Sequence, residues 1–197
     1  MRVGIYGGTF SPVHNGHVAA AKAFMEQMWL DILYVIPTGV TPHKDMKGDA
    51  TPADRLEMCR LAFAGMEGVI VSDLEMRREG KSYTVDTLRE LYDPDGRLFL
   101  LMGTDMLLTL DKWREPEEIF KLSHICVVQR TENPKTASDI ENHRNIYIKK
   151  YGAKIHLIDS HILEISSSEL RDKLANEDSA EKYIPKSVIE YIWYSGP

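Results

Sequence analysis

A doubly wound α/β domain, its mostly parallel sheet covered by helices on both faces, is the architecture this sequence predicts. Three observations carry that reading: short apolar runs recur along the chain, most are separated by stretches of helical periodicity, and the first run ends in a glycine-rich turn leading into a helix. The runs are Arg2–Tyr6, Ile32–Pro37, Val69–Ser72, Arg97–Met102, Ile125–Gln129 and Lys154–Ile158. Strands that alternate with helices are joined by crossovers, and crossovers leave neighbouring strands parallel.

The elements between the runs have their own signals. Ala19, Ala20, Ala23, Phe24, Met28 and Trp29 fall near helical spacing and predict one apolar helical face. Thr51-Pro52-Ala53-Asp54 sets an N-cap threonine before a proline at the first helical position, and Leu56, Met58, Leu61 and Ala62 continue that helix. A further helix is expected from Thr84 to Leu91, stopped by the turn Asp93-Pro94-Asp95-Gly96. Ala137 to Lys150 reads as a surface helix with Ile140, Ile146 and Ile148 turned inward. Ser166-Ser167-Ser168-Glu169 opens a helix, and Pro185 to Tyr194 forms another carrying Val188, Ile189, Ile192 and Trp193, with core or interface open to Trp193 and Tyr194 and core preferred. Thr38 to Ala50 mixes glycine, proline and charge and is expected to act as a mobile lid. No repeat or linker divides residues 1–197, so one domain is expected, with a helical portion from about 166 to 197 packed on it.

Composition bounds the function. In 197 residues, 43% are hydrophobic and 27% charged, which excludes disordered, collagen-like and disulfide-scaffold classes. The longest apolar stretches are interrupted well short of the roughly 20 residues of a bilayer-crossing helix, and the chain begins with a strand-like run rather than a signal segment; a cytoplasmic protein without membrane contact is expected. Cys59 and Cys126 belong to no C-x-x-C or metal-ligand spacing and are expected to be buried free thiols. A net charge of −6 argues against nucleic-acid binding, so an anionic ligand must be met by a local positive site.

That site is expected at Val3-Gly4-Ile5-Tyr6-Gly7-Gly8-Thr9-Phe10-Ser11-Pro12-Val13-His14-Asn15-Gly16-His17, which runs from a buried strand through a glycine turn into a helix. Gly7 and Gly8 allow backbone to approach a ligand, and free amides at a helix start favour phosphate. His14 and His17, with Gly16 between, can both turn toward one phosphate chain and donate to oxygens whose charge grows in the transition state. Either histidine alone would read as a surface residue beside a turn. The strand–turn–helix context of H-x-G-H favours the catalytic reading. Other nucleotide motifs fail: the glycines do not form G-x-G-x-x-G, and Gly80-Lys81-Ser82 lacks the first Walker glycine, replaced by Glu75.

With these motifs the chain resembles the H-x-G-H nucleotidyltransferase superfamily and, within it, the bacterial nicotinate-nucleotide adenylyltransferases. The resemblance spans nearly the whole chain and includes Pro42-His43-Lys44, Ser82-Tyr83-Thr84-Val85-Asp86-Thr87, Gly103-Thr104-Asp105 with Trp113, and Ile165-Ser166-Ser167-Ser168-Glu169-Leu170-Arg171. It implies a Rossmann-like fold and transfer of AMP from ATP to nicotinate mononucleotide, without a covalent enzyme intermediate. It also implies Mg²⁺ carried on the ATP phosphates rather than in a protein cage. His14 and His17 are then the catalytic pair, and Gly7, Gly8, Thr9, Phe10, Gly16, His17, Gly103, Asp105, Ser166, Ser167, Ser168 and Arg171 the ATP contacts. Thr9, Lys44, Tyr83, Thr84 and Trp113 would serve the acceptor, with Trp113 stacking on the pyridine and amides near Tyr83-Thr84 receiving its carboxylate. Where this chain has Ser168 the family usually has threonine, and the hydroxyl is kept. Nicotinamide mononucleotide, pantetheine phosphate or another phosphorylated acceptor, and a nucleotide-binding regulator without turnover, are the alternatives weighed; a homo-oligomer is compatible with the sequence.

Overall fold

The computed structural model describes residues 1–40, 50–128, 134–160, 167–175 and 180–195. The lid expected at 38–50 therefore lies mostly outside the described residues, and so do Lys44 and Ser166.

Six parallel strands form one sheet in the order β3-β2-β1-β4-β5-β6. They are β1 Arg2–Gly8, β2 Ile32–Pro37, β3 Val69–Val71, β4 Arg97–Gly103, β5 Ser123–Val128 and β6 Ile155–Ile158. The chain builds outward from β1 to one edge, returns to β4 beside β1, and then builds to the other edge. That reversal between β1 and β4 opens a crevice at the carboxyl ends of the strands, where ligands gather in open α/β sheets.

Helices α1 (Asn15–Met28), α2 (Pro52–Phe63), α7 (Ser167–Ala175) and α8 (Lys186–Ser195) cover one face. The other carries α3 (Thr84–Glu90), α4 (Thr104–Leu107), α5 (Pro116–Leu122) and α6 (Pro134–Tyr151). The period of two along β4 divides the core between them, with Leu98, Leu100 and Met102 toward α3 to α6 and Phe99 and Leu101 toward α1. Both faces being buried explains why the strands read as continuous apolar runs rather than alternating ones. Thr51 caps α2 as its sequence predicts, its Oγ1 accepting from the Asp54 amide at 3.2 Å, with Pro52 in the first turn.

Three helix faces differ from the sequence expectation. Trp29 is the left-handed cap after α1 (φ 51°) and is 80% exposed, so it lies off the apolar stripe of Ala20, Ala21, Phe24 and Met28. In α6 the buried partner of Ile140 is Tyr147, whose hydroxyl donates to the Leu107 carbonyl at 3.0 Å, whereas Ile146 and Ile148 are exposed. Seven residues make two turns of a helix, so Tyr147 shares the face of Ile140 and its neighbours on either side do not. In α8, Val188 is buried and Ile189 and Ile192 pack on the core, but Trp193 and Tyr194 point outward at 70% and 90% exposure, against the preferred placement in the core. Cys59 and Cys126 are buried free thiols; burial pushes both thiols up, Cys126 to about 12, so neither is reactive.

Candidate active site

The glycine-rich turn lies at the carboxyl end of β1, in the crevice between β1 and β4. Phe10 takes a left-handed backbone (φ 51°) and buries its ring against Tyr6, centroids 5.3 Å apart, and His17, 5.0 Å apart. A side chain at Gly8 would meet that ring at 3.0 Å, so the absence of a Cβ there leaves room for Phe10 as well as for a ligand. Gly16 is buried in the first turn of α1, beneath the two histidines.

His14 is the extended N-cap of α1 and is buried, whereas His17 is half-buried one turn on. Their rings stack with centroids 3.6 Å apart and planes 28° apart. The His14 amide donates to His17 Nδ1 at 3.1 Å. A nitrogen that accepts cannot also carry the proton, so neutral His17 holds its proton on Nε2 and acts as a donor there. The local fold thus leaves Nε2 as the donor of the His17 ring.

The second wall comes from the far end of the sequence. Ser167 Oγ donates to the Pro12 carbonyl at 3.0 Å, and Arg171 Nη1 donates to the Ser11 carbonyl at 2.6 Å while its Nη2 reaches Ser168 Oγ at 3.2 Å. The first turns of α7 are therefore bonded directly to the loop that carries the histidines. Gly103 ends β4 as the N-cap of α4, and Asp105 is exposed in the first turn of that helix. Both lie at the carboxyl edge of the sheet beside the glycine turn, because β4 pairs with β1.

On the opposite face of β1 lies a cavity of about 230 Å³. Gly7, Gly8 and Thr9 line it, together with Tyr83 and Thr84 at the start of α3, Met102 of β4, and Trp113 and Arg114 before α5. A cavity of about 150 Å³ already admits benzene, so this one has room for a substituted six-membered ring. Its floor, Ile5, Leu100 and Met102, belongs to the core half under α3 to α6, whereas Tyr6 and Phe10 beside His17 belong to the half under α1. The expected acceptor residues Thr9, Tyr83, Thr84 and Trp113 thus share one cavity, and the histidines with Ser167, Ser168 and Arg171 lie across the strand from it.

Three residues of this edge, Arg55, Glu75 and Arg114, escaped sequence reasoning. Arg55, fully buried in α2, donates from Nη1 to the Thr9 carbonyl at 2.9 Å and from Nη2 to the Gly39 carbonyl at 3.3 Å. It brings positive charge to the turn and ties β1 to the segment after β2. Glu75, read only as a failed Walker glycine, is buried in the turn after β3 and lines the cavity. Burial raises its carboxyl above the ordinary value, opposed by the Thr87 hydroxyl, Arg78 and Thr38. Arg114 places its guanidinium 4.6 Å from the Tyr83 ring centroid and also lines the cavity. In sequence, Arg55 carried no signal, as one charged residue in the first turns of a helix.

Among the described residues, no helix is long and apolar enough to cross a membrane. A sequence profile described as cytidylyltransferase-like matches residues 5–173. Among curated proteins, one from Citrifermentans bemidjiense named probable nicotinate-nucleotide adenylyltransferase is 37% identical, covering 98% of this chain and 95% of that one. Another of the same name from Synechococcus sp. is 37% identical over 97% of this chain and 91% of its own length. Among solved structures, Plasmodium falciparum nicotinic acid mononucleotide adenylyltransferase complexed with NaAD has a TM-score of 0.74 at 21% identity, covering 99% of this chain and 96% of that one.

Proposed function

Because the chain belongs to the cytidylyltransferase-like family and, within it, to the nicotinate-nucleotide adenylyltransferases, we infer that its two half-sites bring ATP and nicotinate mononucleotide together across Gly7–Thr9. The enzyme transfers AMP from ATP to nicotinate mononucleotide, giving nicotinate adenine dinucleotide and pyrophosphate in NAD biosynthesis. The observation that carries the site assignment is the ring-sized cavity lying across β1 from the stacked histidines.

In this reading the triphosphate lies over the amides of Gly7 to Phe10 and the start of α1, with Gly16 allowing its approach and Gly103, Asp105 and Ser166 to Ser168 meeting the rest of the nucleotide. The acceptor phosphate attacks the α-phosphorus; a new P–O bond forms as the bond to the β-phosphate oxygen breaks, and pyrophosphate leaves with that electron pair. Negative charge grows on the phosphate oxygens, and His17 Nε2–H, His14 and Arg171 donate to them. Little covalent work falls to the protein, because position and charge stabilisation supply most of the rate in phosphoryl-type transfer. Mg²⁺ enters on the triphosphate and neutralises part of its charge. Among the described residues no three His, Cys, Asp or Glu side chains converge into a cage, and the groups at this edge are donors suited to phosphate oxygens. Lys44 would add a positive charge for the triphosphate or the mononucleotide phosphate.

Trp113 stacks on the pyridine ring, and amides near Tyr83 and Thr84 receive its carboxylate, a pattern that leaves the amide NH₂ of nicotinamide facing donors rather than acceptors. Acting on these soluble substrates, the enzyme works in the cytoplasm. A side-by-side measurement of kcat/KM for nicotinate and nicotinamide mononucleotides, read as pyrophosphate release from ATP, tests the assignment. The acid is expected to win; a preference for the amide would reverse the choice of acceptor.

A further inference from the structure

Resting on that acceptor reading, we propose that Glu75 is the counter-ion of the acceptor ring: its carboxylate in the cavity wall selects a pyridinium, with its fixed positive charge, over a neutral ring of the same shape. Glu75 is only 7% exposed, yet it lines the cavity. A carboxylate at such depth is costly unless paired or hydrogen-bonded. Its Oε1 accepts from Thr87 Oγ1 at 2.8 Å, and Thr87 Oγ1 accepts in turn from Arg78 Nη1 at 2.8 Å.

These bonds, with Thr38, aim the carboxylate; Arg78 attracts it only through the intervening Thr87 hydroxyl. Arg78 spends its charge on an ion pair with Glu90 of α3. Arg114, the other charged group lining the cavity, is paired with Asp86 at 3.7 Å and with Glu115 at 3.6 Å. Asp86 and Glu115 also pair with Arg89, so two acids meet two arginines there. Arg78 is balanced by Glu90, and Arg55 spends its guanidinium on the Thr9 and Gly39 carbonyls without lining the cavity. Glu75 therefore gives the cavity wall its negative charge. The remaining surface is largely apolar or aromatic, including Met102, Tyr83 and Trp113. In such low-dielectric surroundings an ionic attraction acts strongly, and aromatic faces also favour a cation. Burial raises the carboxyl above its ordinary value; an arriving cation would reverse that effect. The same charge repels the carboxylate of the substrate, so the ring enters with its nitrogen side, rather than its acid, toward Glu75.

The test compares two ligands on two proteins. One ligand is nicotinate mononucleotide; the other is the 3-carboxyphenyl C-riboside 5′-phosphate, which keeps the carboxylate and phosphate on an uncharged ring. Calorimetric Kd values for the wild type should favour the pyridinium by roughly ten- to a hundredfold. Glu75→Gln, which retains the shape and the Thr87 bond, should erase that preference while leaving affinity for the neutral-ring ligand unchanged. Equal weakening of both ligands, or a preference that survives the substitution, overturns the proposal and marks Glu75 as structural. Should Glu75→Gln fail to fold, Glu75→Asp decides: it keeps the charge but draws it back from the ring, so the preference ratio must fall, and an unchanged ratio overturns the proposal. Failure of the wild type to bind either ligand would sink the acceptor reading itself, and the counter-ion with it.

Discussion

The two sides of β1 meet the same turn by opposite means. On the histidine side, position is set by hydrogen bonds to backbone: the His14 amide to His17 Nδ1, Ser167 to Pro12, and Arg171 to Ser11. On the cavity side it is set by side-chain volume, with Ile5, Leu100, Met102 and Trp113 shaping a ring-sized space. The division follows the chemistry each side faces. Phosphate oxygens change charge during the reaction and need donors held at fixed points, whereas an aromatic ring is recognised by shape and desolvation. Rate should therefore depend chiefly on one side and acceptor affinity on the other.

The largest break should come at His17. His17→Ala is expected to lower kcat by about 10²–10³ with acceptor Kd unchanged; near wild-type turnover would remove its role. Trp113→Ala should do the reverse, raising acceptor KM roughly tenfold or more and leaving the KM for ATP in place. Equal changes in both constants would show that the sides are not separable. Arg171→Ala, which loses charge-assisted bonds to the loop and to Ser168, should raise the KM for ATP by roughly tenfold and spare the acceptor. A smaller effect, on stability alone, is expected for Thr51→Ala, where loss of the α2 cap should cost about 1 kcal/mol in denaturant unfolding with steady-state constants intact.

The smallest effect serves as a control at a distance. His124 of β5 and His156 of β6 share a ring-nitrogen contact of 3.0 Å away from both half-sites. Burial, then Lys154, His156, Arg97 and Arg2, push His124 from 6.5 down to about 4. The unfolded chain therefore binds its proton more readily, so stability is lost as pH falls from the ordinary histidine value toward about 4. His124→Gln should flatten the fall of Tm across that window, measured by thermal melts, without altering either KM at neutral pH.

What could be read from the sequence follows the same division. The strands were legible because burial on both faces leaves uninterrupted apolar runs, and the histidine loop was legible because turn chemistry is local: glycines, a cap and a spacing of three. The acceptor side needs residues from β1, the turn after β3, α3, β4 and the segment before α5. Of these, only the resemblance singled out Tyr83, Thr84 and Trp113. Glu75 and Arg55 were missed because a lone charged residue in an ordinary segment looks solvated; only the packing of α2 and of the turn after β3 against β1 buries them. Trp29 and Trp193 went wrong for a complementary reason, since their apolar bulk says nothing about whether a helix has already turned past the core or ended.

In the proposed arrangement, with the two half-sites on opposite faces of one strand, the reaction also has a handedness. An acceptor oxygen arriving from the cavity side, with pyrophosphate departing toward His17 and α7, approaches the α-phosphorus from the side opposite the leaving group. A single such displacement turns the phosphorus inside out. ATP made chiral by one sulfur at that phosphorus should therefore yield a dinucleotide of inverted configuration, and retention would mean that two displacements, rather than one, had taken place across β1.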